Sequence, residues 1–420
     1  MSLIKNTSYN LIGFAVPTLI ALPCLGILSR WLSMEEFGVF TLTFAILGYA
    51  SIFDGGLSRA VTREVSIYRG NYDEKIKILG TSNFLILIFG MLASLLLFIF
   101  ASSVAQLLNI SSIYLTTVTL SLKILSFSIP LYLLNLIWIG YLEGMENFFV
   151  VNIQKSIGNT LIVLLPVLFC IYEKSLLLAV MGMVFGRLIS LIITFFICFK
   201  EILGSKFHFD KNVSIRLFKF GGWITVSNII SPLMVNMDKF IISNILGANK
   251  VAIYTAPAEG VTRLVNIPIA LSKVLFPKIV SSGTLKEQAD LERKSYAIVA
   301  IFCAPIVFLI FLYAHEIMAI WMGEKYGVMT ESILKILIVG FYFNALAQIP
   351  YTILQSKGFS KQTAIIHLLE IIPYFISIYF AAVYFGIVGV AVVWVLRVFV
   401  DMVLLMVFNY KMRNIKVKFF

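Results

Sequence analysis

The chain has 420 residues, 60% of them hydrophobic and only 13% charged, with a mean hydropathy of +0.97. This profile excludes a soluble domain and points to a polytopic helical membrane protein, because lipid offers no partner to an unpaired backbone group. The formal charge of +12 does not call for nucleic acid, since cations in the loops of one membrane face, against anionic headgroups, account for it.

The apolar runs are long and continuous rather than alternating, which excludes a barrel. About twelve spans are expected, at 9–30, 37–57, 81–101, 118–140, 150–170, 177–198, 220–242, 251–273, 296–314, 332–354, 364–384 and 388–409. Each is near the ~20 residues that cross a bilayer core. The first run, Leu11 to Leu28, lacks a small-residue cleavage site and is expected to remain as a span. The second span ends at Phe53-Asp54-Gly55-Gly56-Leu57, with Arg59 and Arg63 one and two turns later. These three charges read either as a gate to a cavity or as a helix-end cluster. Lys123 and Arg187 sit at membrane depth in the fourth and sixth spans, as cavity cations or as snorkelling side chains.

The segment from Phe199 to Phe220 is basic and contains His208 and Asp210. Its second part, SIRLFKF, alternates apolar and basic residues and is expected to lie along the inner surface. The seventh span starts at Gly221-Gly222 and ends at Asp238-Lys239. The eighth, Val251 to Lys273, reads as one membrane-spanning helix with Glu259 and Arg263 near its middle. Their i, i+4 spacing puts both on one face, which Thr262 and Asn266 extend. A charge at bilayer depth costs roughly 2.5 kcal/mol or more, so this face must look into a cavity. Glu370, Arg397 and Asp401 are also deep, and Arg397 and Asp401 again stand at i, i+4. An internal ion pair that only holds helices together is the competing reading for Arg397/Asp401 and for Asp238/Lys239.

With the N-terminus inside, 21 Lys and Arg residues fall in inner segments and 4 in outer ones. The positive-inside rule then places both termini in the cytoplasm. The chain also repeats itself. Ile27-Leu28-Ser29-Arg30-Trp31-Leu32-Ser33 resembles Ile241-Ile242-Ser243-Asn244-Ile245-Leu246-Gly247, an offset of 214 residues. The same offset pairs Phe40-Thr41 with Tyr254-Thr255, and Gly144 with Gly358. An even number of spans per repeat predicts parallel repeats. The expected fold is an all-α membrane protein of two parallel-repeat six-helix bundles around a central cavity. The halves are 1–206, with a linker to about 219, and 220–420.

Enzymatic chemistry finds no support. Three histidines are scattered, and HExxH, GxSxG and the phosphate-binding GK[ST] are missing. Cys24, Cys170, Cys198 and Cys303 all lie in apolar runs without a metal spacing, and read as small buried hydrophobes. No resident cofactor or metal is expected.

Several stretches resemble the multidrug/oligosaccharidyl-lipid/polysaccharide exporter superfamily. The Asn6 and Asn10 stretch precedes an apolar helix with Pro17. FDGGLSRAVTREV from Phe53, WITVSNIISPLMVNMDKFIISNILG from Trp223, and the following AIYTAP resemble Wzx-type O-antigen flippases. The resemblance covers the whole chain, and the DKFIISNILG…AIYTAP pattern is its most specific part. It implies a bacterial inner-membrane flippase for a polyprenyl-pyrophosphate-linked oligosaccharide, working by alternating access beside a polysaccharide polymerase and a chain-length regulator. On that reading Arg263, Arg187, Lys123 and Asn266 bind substrate, with arginine suited to pyrophosphate. Glu259, Asp238, Arg397, Asp401 and Glu370 serve as ion pairs or coupling sites for H+ or Na+, and Asp54, Arg59 and Arg63 gate. The alternatives are a cation-coupled multidrug exporter and a membrane enzyme acting on the same lipid-linked sugars.

Overall fold

The computed structural model describes residues 3–205, 209–281 and 284–412, with side chains described except at 3–16, 220–235, 360 and five positions between 273 and 281. Lys206, His208 and the basic residues after Met412 lie outside the described residues, as do the side chains of Asn6 and Asn10. No strand occurs among the described residues. Contacts divide the chain into two compact units, Met1–Phe240 with Gly247–Val251, and Ile241–Leu246 with Ala252–Phe420.

The first unit contains α1 (Leu3–Trp31), α2 (Met34–Ala50), a 3-10 turn (Ser51–Asp54), α3 (Leu57–Ile67), α4 (Tyr72–Leu107), α5 (Ser112–Ser126), α6 (Ser128–Gly144), α7 (Phe148–Tyr172), α8 (Leu176–Ile197) and α9 (Phe199–Ser205). Its helix starts follow local chemistry. Ser33 and Glu36 exchange side-chain to backbone bonds in a capping box at α2. Asn71 and Ser175 cap α4 and α8. Asp210 accepts from the backbone N–H of Val213 and Asn212, at 3.1 and 2.8 Å. The Val213 bond leads in holding the Asp210 carboxyl below its ordinary range.

That cap starts α10 (Lys211–Leu246), which runs on without a break. SIRLFKF is therefore the first part of a long helix, not a separate surface element. Gly221 and Gly222 weaken a helix by about 1 kcal/mol each but remove no backbone donor, so the helix continues through them. Helix α3 is amphipathic, with Leu57, Ala60, Val61, Glu64 and Val65 buried and Arg59 and Arg63 outward. It approaches α6 closely. A Cβ added at Gly140 would come 2.7 Å from the Ser58 carbonyl, and one at Gly144 would come 2.7 Å from the Thr62 carbonyl.

The second unit holds most of α11 (Ala248–Leu264), then α12 (Asn266–Ser281), α13 (Leu285–Leu312), α14 (Ala314–Met322), α15 (Glu324–Ser356) and α16 (Ser360–Lys411). The last is 52 residues long, and its helical conformation breaks at Gly386, with φ +62 and ψ −153. A Cβ on Gly389 would lie 2.9 Å from the Ala381 carbonyl, although residues eight apart on a straight helix are separated by about 12 Å. The two arms thus fold back on each other as a hairpin, matching the expected spans 364–384 and 388–409. Only glycine adopts this backbone region readily.

Among the described residues eight helices are long and apolar enough to cross a membrane. Three of the eight contain an interruption, at Ser51, at Phe127 and at Gly386. The expected spans 9–30 and 220–242 fall partly on residues whose side chains lie outside the described ones, and 251–273 is not among the eight. The expected span 251–273 is not one helix: α11 ends at Leu264 and α12 starts at Asn266. Pro268 is the cause. It has no N–H to offer the Leu264 carbonyl, so the helical ladder lacks a bond where α11 ends. The duplication reaches the element boundaries, since α2 and α11 each have 17 residues and start and end 214 positions apart. Each stops at a break, the 3-10 turn at Ser51 in one case and Val265 in the other. All four cysteines are buried and free.

Candidate functional site

In the first unit, Asp54 is 1% exposed and tied to its own turn. It accepts from the Ser58 N–H at 3.1 Å and the Ser58 hydroxyl at 2.8 Å. Gly55 and Gly56, at φ +56 and +72, turn the chain so that Asp54 faces the start of α3. Arg59 is exposed, and Arg63 pairs with Glu64 at 2.8 Å. A richer charge group lies beside them and was not legible in the sequence. Arg216 on α10 donates to Glu74 at 2.8 Å and to the Tyr68 hydroxyl at 3.0 Å, and pairs with Glu64 at 3.4 Å. It ties α10 to α3 and α4.

Arg187 on α8 sits 4.8 Å over the ring of Tyr132 on α6. Its Nε is buried without a hydrogen-bond partner. A cation held by an aromatic face alone is desolvated and keeps donors in reserve for an anion. Lys123 takes a different environment. It lies 5.4 Å from the Phe98 ring, among the exposed rings of Phe98 and Phe127. Asp238 and Lys239 are buried, and Asp238 accepts from the Lys239 backbone N–H at 2.8 Å. A polar network joins α6, α7 and α8. Gln154 donates to Thr194 at 2.7 Å and to Ser190 at 3.0 Å, and Thr194 donates to Asn135 at 2.6 Å. Sequence reasoning missed it, because each member is a single uncharged residue in an apolar run.

In the second unit, Arg263 and Glu259 do meet, at 3.9 Å, and both are near 30% exposed. Asn266 donates to the Arg263 carbonyl at 3.1 Å, satisfying an acceptor at the end of α11 near the helix break. Its amide N–H is thereby turned to the backbone. Beside α12 a cavity of about 470 Å³ is lined by Ile269, Ser272, Phe276, Gln348, Tyr351, Thr352 and Gln355. Amides, hydroxyls and two aromatic rings converge there, a set that suits a sugar's hydroxyls and its apolar face.

Behind Tyr351 lies a buried charge cluster. The Tyr351 ring stacks on His367, with centroids 5.8 Å apart. His367 Nε2 is 3.3 Å from Asp401 Oδ1. Arg397 donates to Glu370 Oε2 at 3.5 Å and lies 5.2 Å over the ring of Tyr374. The expected Arg397/Asp401 pair on one helix is therefore replaced by two pairs between the arms of α16. His367, half-exposed, shares one face of the first arm with the buried Glu370 and Tyr374, and that face meets Arg397 and Asp401 on the second. The partial signal was there: His367 and Glu370 are spaced i, i+3 in an apolar run.

Comparison with known proteins follows the same lines. The family model described as "Polysaccharide biosynthesis protein" matches residues 3–283. A Shigella flexneri protein named "Putative O-antigen transporter" is 43% identical over 405 residues, covering 96% of this chain and 97% of that one. The "Uncharacterized membrane protein EpsK" of Bacillus subtilis is 25% identical, covering 87% of this chain and 74% of that one. Among solved structures, an inward-facing multidrug resistance MATE family transporter of the MOP superfamily superposes with a TM-score of 0.82 at 14% identity, over 96% of this chain and 98% of that one. A MOP superfamily transporter from Pyrococcus furiosus gives 0.68 at 15% identity, over 98% and 95%. The chain has the all-α fold of these transporters and is a multi-pass membrane protein.

Proposed function

The chain belongs to the polysaccharide biosynthesis protein family, and from that premise we propose that it is a flippase moving a polyprenyl-pyrophosphate-linked oligosaccharide across a bacterial inner membrane. The repeat unit is of the O-antigen type or a related polysaccharide. The observation that carries this reading is identity of 43% along nearly the full length of the Shigella flexneri protein. The chemistry of the side chains supports it. Arg187 offers its unpartnered Nε–H to a pyrophosphate, and the cavity beside Tyr351 offers amide, hydroxyl and aromatic groups to a sugar. Arg263, Lys123 and Asn266 complete the substrate-binding set, and Asp54, Arg59 and Arg63 gate it.

Two six-helix halves, 1–206 and 220–420, alternate access to the substrate, with both termini in the cytoplasm. The protein acts as a transporter and not as an enzyme. The membrane potential favours outward movement of an anion by roughly 2.3 kcal/mol per charge per 100 mV, and H+ or Na+ exchange at Glu259, Asp238, Glu370, Arg397 or Asp401 adds to it. A polymerase and a chain-length regulator take over the flipped units.

Deletion of the gene, followed by analysis of surface polysaccharide and of the leaflet holding lipid-linked units, tests the reading. Complete units trapped on the inner leaflet support it. Units accessible outside assign the defect to polymerisation. Unchanged polysaccharide with new drug sensitivity overturns it in favour of a cation-coupled multidrug exporter, whose MATE relatives share the fold.

A further inference from the structure

The α16 hairpin concentrates four ionisable side chains where its arms meet. Glu370 and Asp401 are only 8% and 9% exposed. Arg397 is their one permanent cation among the described neighbours, and it is committed to Glu370 and to the face of Tyr374. The flanking helix α15 presents Tyr351, whose ring covers one side of His367. Counting charges leaves a remainder. Two carboxylates face one guanidinium, so the cluster is neutral only when one more proton is bound. His367 is the group placed to take it, with Nε2 at 3.3 Å from Asp401. Two oxygens, Glu370 Oε1 and Asp401 Oδ1, are buried and lack a hydrogen-bond donor of good geometry. A buried acceptor without a donor is costly, and a donor supplied by protonation satisfies it.

We propose that His367, Glu370, Arg397 and Asp401 form a site for a single exchangeable proton inside the second unit, with the hairpin closed when the proton is bound and favoured to open when it is released. The proton resides on His367 Nε2 and is shared towards Asp401 Oδ1. It enters by way of His367, whose side chain is 31% exposed, beside the Tyr351 cavity. Release returns the proton to water and leaves a net charge of −1 between the arms, which desolvation disfavours. The arms then gain by separating or by readmitting a cation. A sodium ion is a poorer occupant, because Arg397 already occupies the Glu370 carboxylate. The proposal deepens the ion-coupling part of the proposed function, and rests on that reading only for its link to transport.

The test uses the three histidines of the chain. The full-length protein, with ¹⁵N-labelled histidine, is placed in lipid nanodiscs and titrated by NMR, and His208→Gln and His315→Gln identify the His367 signal. Asp401→Asn and Glu370→Gln each remove one carboxylate from the count. Both should move His367 protonation to lower pH than in the unsubstituted chain, by about one pH unit or tenfold in proton affinity. Arg397→Gln should move it the opposite way. An isolated His367–Asp401 pair predicts a response to Asp401→Asn alone, and that result overturns the shared site. No response to any substitution overturns it as well. If Asp401→Asn fails to fold, Glu370→Gln and Arg397→Gln still give opposite signs or refute the count. The readout needs no oligosaccharide, so its failure leaves the flippase reading standing. Conversely, unchanged polysaccharide in the deletion strain leaves the proton site standing.

Discussion

Arg397 turns away from Asp401, one helical turn along its own helix, and reaches across the hairpin to Glu370 at 3.5 Å. Asp401 is left to His367 at 3.3 Å. The arms of α16 are thus joined by charges between helices, and that arrangement gives sharper predictions than an i, i+4 pair.

The Arg397–Glu370 pair is buried, so removing one partner leaves an uncompensated charge. Arg397→Met should lower stability by about 3 kcal/mol, and adding Glu370→Gln should restore most of it. Thermal unfolding in detergent of the two single variants and the double variant checks this. Additive losses would show that the two residues do not interact.

Arg187 predicts a separation of stability from transport. Its Nε is buried without a hydrogen-bond partner, and its contact is the Tyr132 ring. Replacing a desolvated, unpaired cation by an apolar residue should be neutral or stabilising. Arg187→Leu is therefore expected to unfold at the same temperature or higher, yet to lose surface polysaccharide in a complementation assay. A variant that both unfolds earlier and fails to complement would make Arg187 a structural residue.

Gln154 holds α6, α7 and α8 together through Ser190, Thr194 and Asn135. Inter-helix hydrogen bonds within membranes contribute about 0.6 kcal/mol on average and up to about 2. Gln154→Leu removes several at once and should cost about 1–2 kcal/mol. Ser190→Ala should cost less, because Gln154 keeps Thr194. The same unfolding measurement ranks the two.

Gly144 predicts a steric effect at the α3–α6 crossing. A Cβ there meets the Thr62 carbonyl at 2.7 Å and the Val65 Cβ at 2.8 Å. Gly144→Leu should destabilise by about 1–3 kcal/mol through displacement of α3. Gly70→Ala, where an added Cβ meets nothing within 4 Å, serves as the control and should change stability little. Equal effects at both positions would refute close packing at this crossing.

Much of this protein was legible without coordinates, for reasons that lie in local chemistry. Continuous apolar runs specify membrane helices because lipid leaves a backbone no other partner. The 214-residue repeat showed in scattered identities and reappears in the matched ends of α2 and α11. Burial of the four cysteines followed from their apolar neighbours. The break at Val265 was announced by Pro268, yet hydropathy alone reads 251–273 as one span, since an apolar count ignores a missing N–H.

What only the tertiary structure decided is who faces whom. Spacing along a helix states which side chains are near each other, but Coulomb attraction acts through space and takes whichever opposite charge the packing brings closest. Gly386 folds α16 back on itself, so Glu370 and His367 arrive opposite Arg397 and Asp401 and displace the pair that spacing alone suggests. Lys123 meets Phe98 while Arg187 meets Tyr132 for the same reason: α5 and α8 point them into different surroundings. The chain's local pattern determined that these charges had to be sheltered from lipid; the fold decided what shelters each one.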